Sequence, residues 1–195
     1  IVGASLVIDP GQVTPNYFFV TQYGGTLTHV FSGALEGNVF KLEAAYRDFK
    51  DYDPAVTIHG QRKIIDHSSV AIGWEYGRTY SNGHEGTFLI EGQGLFGADK
   101  EARAEIAIFQ RDLLIGYRHA WNDALAKEFF ISFITDLERS NESLININYS
   151  QRLNDSWKVN TGIRFIEAPL KTPLPKGLEI QDGDNQIFLT LTRFF

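Results

Sequence analysis

Cysteine is absent from this 195-residue chain, which excludes disulfide staples and thiolate metal centres. Methionine is absent as well, even at position 1, and no basic, apolar, small-residue leader opens the chain. The expectation is a processed mature protein or a piece of a longer one. No stretch approaches the roughly 18 consecutive apolar residues that a membrane-spanning helix requires. That test does not reach membrane β-strands, which show lipid only every second residue. Positive charge is also short. The net charge is -6 with no offsetting basic cluster, which argues against a nucleic-acid partner. The composition, 43% hydrophobic and 22% charged, would suit a soluble domain equally well, so the class must be read from pattern.

What is present is period-2 alternation. Near the C-terminus Ile187, Leu189, Leu191, Arg193 and Phe195 alternate with Phe188, Thr190, Thr192 and Phe194. Upstream, Trp157, Val159, Thr161, Ile163 and Phe165 oppose Lys158, Asn160, Gly162 and Arg164. Ile145, Ile147 and Tyr149 oppose Asn146, Asn148, Ser150 and Arg152, and Phe129, Ile131, Phe133 and Leu137 oppose Glu128, Ser132, Asp136 and Glu138. The same division sets Leu113, Ile115, Tyr117 and Trp121 against Asp112, Gly116 and Arg118. It continues through Phe88 and Ile90 against Thr87, Glu91 and Gln93, and Val70, Ile72, Trp74 and Tyr76 against Ala71, Gly73 and Glu75. The last clear segment sets Phe40, Leu42, Ala44 and Tyr46 against Lys41, Glu43 and Arg47. Residues 15–23 and 26–34 read as strands of weaker alternation.

The clear segments run roughly 10 to 13 residues, longer than the usual soluble strand and suited to a strand tilted across a bilayer. Asn82-Gly83, Asn122-Asp123 and Asn154-Asp155 mark short hairpin turns. Between them lie long connections, 49–67 and 168–183, the latter holding Pro169, Pro173 and Pro175. With the C-terminus in the periplasm, the three Asn turns fall on the periplasmic side and both long connections outside, as in outer-membrane barrels. Residues 98–109 read as a short helix in an external loop. The apolar faces end in Trp74, Tyr76, Tyr117, Trp121, Tyr149, Trp157 and Phe165, as interfacial girdles do.

The expected fold is therefore all-β, an antiparallel up-and-down transmembrane β-barrel of about ten strands. Residues 1–195 make one domain, complete or the C-terminal portion of a longer barrel. Soluble sandwiches and lipocalin-like barrels share the alternation but not the mixed charges along the polar faces.

The ending Phe188-Leu189-Thr190-Leu191-Thr192-Arg193-Phe194-Phe195, with Arg152-Leu153-Asn154-Asp155-Ser156-Trp157-Lys158 and Thr135-Asp136-Leu137-Glu138, resembles the C-terminal part of a family of large outer-membrane barrels. That family is a domain of unknown function, often associated with resistance-nodulation-division exporters. The resemblance covers about residues 68–195 and fades upstream. A terminal Phe195 is similar to the signal that the barrel-assembly machinery reads, although Arg193 departs from the usual aromatic. The resemblance implies outer-membrane lipid and lipopolysaccharide as surroundings, and it carries no catalytic residue.

His67-Ser68-Ser69 has the His-x-Ser spacing of a lipid A deacylase, with Asp66 and Glu75 as the nearest carboxylates to orient His67. The other histidines, His29, His59, His84 and His119, are scattered, with no zinc spacing. Asp48, Asp51 and Asp53 read as a solvated loop rather than a calcium site, and Gly92, Gly94 and Gly97 as strand glycines rather than a phosphate loop. The strongest handle is the inward charge. Lys41, Arg47, Arg118, Arg152, Lys158 and Arg164 share the polar face with Glu43, Glu75, Glu91, Glu128 and Asp136. Arg118, Arg152 and Arg164 are expected to form a basic ladder on adjacent strands, facing Glu43, Glu75 and Glu91. The functional expectation is a porin-like channel, passive or export-associated, for small solutes or hydrophobic compounds. It needs no cofactor and performs no chemical step. The alternative is an outer-membrane lipid hydrolase.

Overall fold

The computed structural model describes residues 2–9, 12–49, 65–139, 142–170 and 177–194. It is all-β, with nine strands in one open antiparallel sheet. A separate hairpin pairs β1 (Val2–Asp9) with β2 (Gln12–Phe19). The sheet comprises β3 (Thr21–Val30), β4 (Asn38–Asp48), β5 (His67–Thr79), β6 (Glu85–Phe96), β7 (Arg111–Ala120), β8 (Glu128–Asp136), β9 (Ser143–Asn154), β10 (Trp157–Glu167) and β11 (Gln186–Arg193). Their spatial order is their chain order, a pure meander with β3 and β11 at its edges.

The described strands number eleven rather than about ten, and the difference lies upstream. The expected strands 15–23 and 26–34 are instead Gln12–Phe19 and Thr21–Val30, divided at Val20. Residues 33–35 form a 3-10 turn leading into β4. Alternation there is diluted by Gly24, Gly25 and four threonines or glutamines, so only the ladder partner fixes the bounds.

The connections alternate between the two ends of the sheet, and the three longest lie at one end. Residues 31–37, 80–84, 121–127 and 155–156 join strands at one end, and the three Asn turns fall there. The connections 97–110, 137–142 and 168–185 lie at the other end, with 49–66, of which 50–64 are outside the described residues. The short helix expected within 98–109 is α1 (Lys100–Ile106), at that second end. Asp99 caps it by accepting from the Ala102 amide at 2.8 Å, and Ala102 and Ala104 are its buried face.

The register carries the sequence alternation into three dimensions. One row runs Tyr76, Phe88, Tyr117, Ile131, Ile147, Ile163, Ile187 across seven strands on one face. The neighbouring row on the opposite face runs Gly77, Thr87, Arg118, Phe130, Asn148, Gly162, Phe188. The apolar face has no layer packed over it among the described residues: Ile72, Phe88, Ile115, Ile187 and Leu189 stand exposed. Among the described residues one small cluster of buried hydrophobics forms, Ile166, Ala168 and Leu178 with Phe109 and Leu144 against it. It sits on the polar face at the long-connection end, where the 3-10 turn Gly177–Gln181 folds onto β10. A nine-stranded sheet whose apolar face stays open lacks the core that a water-soluble sandwich would build on it.

Candidate functional site: the charged face of the sheet

All eleven ionisable residues expected on one face are brought to one face. Lys41, Glu43 and Arg47 alternate along β4, Glu75 lies on β5, Glu91 on β6 and Arg118 on β7. Glu128 and Asp136 lie on β8, Arg152 on β9, and Lys158 and Arg164 on β10. Lys41, Glu43, Glu91, Arg118 and Arg152 are exposed, and Asp136 alone is buried.

Within that face opposite charges pair diagonally. Lys41 Nζ reaches Glu75 Oε1 at 2.6 Å. Between their strands Gly73 stands directly across from both Lys41 and Glu91, and its missing side chain leaves room for those longer ones. Arg118 donates to Glu128 Oε2 at 2.8 Å, and Lys158 adds a second positive charge near Glu128. These pairs are a third to a half exposed, so they contribute little to stability. Their main effect is a fixed pattern of charge facing solvent. Further along β9–β11 the face carries neutral polar groups: Asn146, Asn148, Ser150, Asn160, Thr190 and Gln186.

Arg118, Arg152 and Arg164 do not form the expected ladder. β8 separates Arg118 from the other two strands. Arg118 lies in the row with Phe130, Asn148 and Gly162. Arg152 pairs with Lys158 nearer the short turns, and Arg164 sits between Asn146 and Gln186 nearer the long connections. Arg118 is moreover held by Glu128 on the adjacent strand, not by a carboxylate across the sheet.

At the long-connection end the face is partly covered. Phe109 and Gln110 approach Glu43, Ser69 and Glu91, and together they line an open pocket of about 230 Å³. Gln110 is buried and donates to the Ala107 and Ile108 carbonyls, which fixes the exit from α1. Arg103 of α1 forms a two-pronged pair with Glu138, and that guanidinium holds the Glu138 carboxyl below its usual range. Arg139 bridges Glu142 at 2.5 Å and Glu179 at 2.6 Å, tying the β8–β9 turn to the 3-10 turn before β11. Both carboxylates are buried, so this bridge sits where charge is costly to isolate. Asp112 and Asp136 stand directly opposite each other on β7 and β8, both buried. Asp112 accepts from Gln93 at 3.2 Å, and Asp136 accepts the Glu138 and Arg139 amides.

Alternation already places Asp112 and the amides on this face, although they are not among the eleven residues expected to line it. The Arg139–Glu179 bridge left no signal, because it joins two connections far apart in sequence.

The His-x-Ser pattern is not assembled as a nucleophile and base. His67 and Ser69 share the polar face, but Ser69 Oγ accepts from Arg47 Nη1 at 3.3 Å. His67 is buried, stacks with Phe49, and its Nδ1 lies 2.9 Å from the Ile65 carbonyl. Asp66 accepts the Phe49 amide and Glu75 is taken by Lys41. Asp51, Asp53 and His59 lie outside the described residues, as does Phe195. Among the described residues no three His, Asp or Glu side chains converge as metal ligands. Arg193, the departure from an aromatic ending, stacks over the Trp157 ring at 5.6 Å and so extends the apolar face with an aromatic contact.

No family model matches this chain, and neither a curated protein nor a solved structure is similar to it.

Proposed function

We propose that the sheet is the wall of an outer-membrane β-barrel whose charged face lines a hydrated path for small solutes, an open channel without a chemical step. One observation carries the reading. A single register sends most of the large apolar residues of β4 to β11 to a face with no layer over it among the described residues, and gathers eleven ionisable residues on the other. Lipid is the solvent that rewards the first face, and water the second. Strand length supports the same reading. The eleven residues of β10 extend about 36 Å, and at a tilt of about 45° they cross the roughly 25 Å apolar band of such barrels. In a closed barrel the connections that carry Phe109, Gln110 and Leu178 would narrow the path at its outer end. The likeness of the C-terminal segment to exporter-associated barrels favours a role beside an exporter over general uptake.

The test is conductance of the full chain in planar bilayers, with reversal potentials measured across a salt gradient. Replacing Arg118, Arg152 and Lys158 by Gln removes three positive charges near the short-turn mouth and leaves Glu128 uncompensated. Selectivity then shifts towards cations. Absence of conductance in the unaltered chain, or selectivity indifferent to the change, rejects the channel reading.

A further inference from the structure

At the short-turn end of the apolar face, two histidines far apart in sequence meet. His84 precedes β6 and His119 lies near the end of β7, and their Nδ1 and Nε2 atoms face each other at 3.3 Å. The rings stand nearly perpendicular, at 80°. We propose that this pair is a binding site for a divalent first-row transition ion of the copper, nickel or zinc type, with water completing the coordination.

Three features support it. The first is the spacing. Two imidazole nitrogens each about 2.0–2.1 Å from one ion are held about 3.3–3.4 Å apart in tetrahedral and about 2.9 Å apart in square-planar coordination, so the observed pair suits the first directly and the second after a closure of about 0.4 Å. The observed separation is that of a weak N–H···N hydrogen bond, which the ion would replace. The second is what lies behind the ligands. The other nitrogen of His119, Nδ1, is 3.1 Å from the Tyr117 hydroxyl, and that hydroxyl is 3.3 Å from Tyr80 Oη. With Nδ1–H donating to Tyr117 and Tyr117 donating to Tyr80, the His119 Nε2 lone pair is left aimed at the ion. This is how outer hydrogen bonds set the tautomer of metal-binding histidines. The third is rigidity. Tyr80 N donates to the His84 carbonyl at 2.8 Å, His84 N donates to Asn82 Oδ1 at 3.1 Å, and Asn122 fastens the Gly83 carbonyl at 3.1 Å. Gly86 completes the arrangement. A Cβ there would lie 2.7 Å from the Tyr80 hydroxyl and 2.9 Å from that of Tyr117, so the hydroxyl chain requires glycine at this position.

Two protein ligands make a modest site, with affinity for copper(II) above that for nickel(II) or zinc(II). Both rings are half-buried beside Trp121, whose centroid is 4.6 Å from His119. Bound copper(II) or nickel(II) would therefore quench Trp121 emission.

The experiment titrates copper(II) and nickel(II) into the full chain in detergent at pH 7.5, with Trp emission and calorimetry read together. The expected result is saturable one-to-one binding with partial quenching. His84→Ala and His119→Ala each weaken it at least tenfold. Tyr117→Phe, which keeps both ligands and removes only the acceptor behind His119, weakens it by roughly 10- to 100-fold. Trp121→Phe abolishes the metal-sensitive emission while leaving the binding heat. Circular dichroism of each variant reports the fold. No saturable binding by the unaltered chain, or equal binding by folded His84→Ala and His119→Ala chains, overturns the proposal.

Discussion

Placing an arginine at Ile147 puts a charge in the middle of the apolar face. Ile147 is the fifth of twelve residues in β9, flanked directly by Ile131 on β8 and Ile163 on β10. Its neighbours along the strand on the same face are Ile145 and Tyr149. If hydrocarbon bathes this face, Ile147→Arg costs about 2–4 kcal/mol, the range for a charge at the midplane of a membrane barrel. On a surface facing water the same change stays within about 0.5 kcal/mol. Two companions separate lipid from a protein partner covering the face. Val159→Arg, one alternate position from Trp157 and near the short-turn rim, costs about 0–1 kcal/mol, because the penalty fades towards the interface. Asn148→Arg, next to Ile147 but on the polar face, falls within the surface range. The assay is reversible urea unfolding in liposomes, followed by Trp emission, with the three variants measured against the unaltered chain. A cost below 0.5 kcal/mol at Ile147, or equal costs at Ile147 and Val159, refutes the assignment of this face to lipid.

Other outcomes follow from particular contacts. A Cβ on Gly162 would run into the Phe188 ring, Asn148 Oδ1 and the Ile147 carbonyl, so Gly162→Ala destabilises by about 1–3 kcal/mol in the same assay. Gly25→Ala, with nothing near it, costs nothing measurable. Glu138 is held below its ordinary value of 4.5 by Arg103, so its pair stabilises the docked helix fully above that value. That contribution is lost as pH falls through the depressed value of the folded state. Protection factors of residues 100–106, corrected for the intrinsic pH dependence of amide exchange, should fall below about pH 4.5 in the unaltered chain, and Arg103→Gln should show the low protection already at pH 7.

Period-2 alternation carried the strands from β4 onward because one face is predominantly apolar, so a slip by one residue would reverse every side chain. Strand ends were less legible. Trp121 and Leu137 continue the apolar alternation past Ala120 and Asp136. Their amides still bond across, to the Lys127 and Arg111 carbonyls, so side-chain pattern and ladder end at different residues. The members of the charged face were readable, since face follows from parity. Their partners were not: Lys41 takes Glu75 rather than Glu43, and Arg118 takes Glu128, because diagonal reach depends on the stagger between strands. For the same reason the scattered histidines gave no hint of a pair. His84 and His119 meet because the β6 and β7 register brings their ends together.

The chain's lack of cysteine makes one measurement decisive for the two-solvent sheet. Single cysteines are placed in turn at positions 144 to 152 of β9 in the full chain reconstituted in liposomes. They are then exposed to a membrane-impermeant thiol reagent on both sides. The expected result is labelling at 146, 148, 150 and 152 and protection at 145, 147 and 149, with 144 shielded by the cluster around Ile166 and Leu178. Labelling that ignores this alternation, or that appears at 145, 147 and 149, contradicts a sheet with lipid on one face and water on the other.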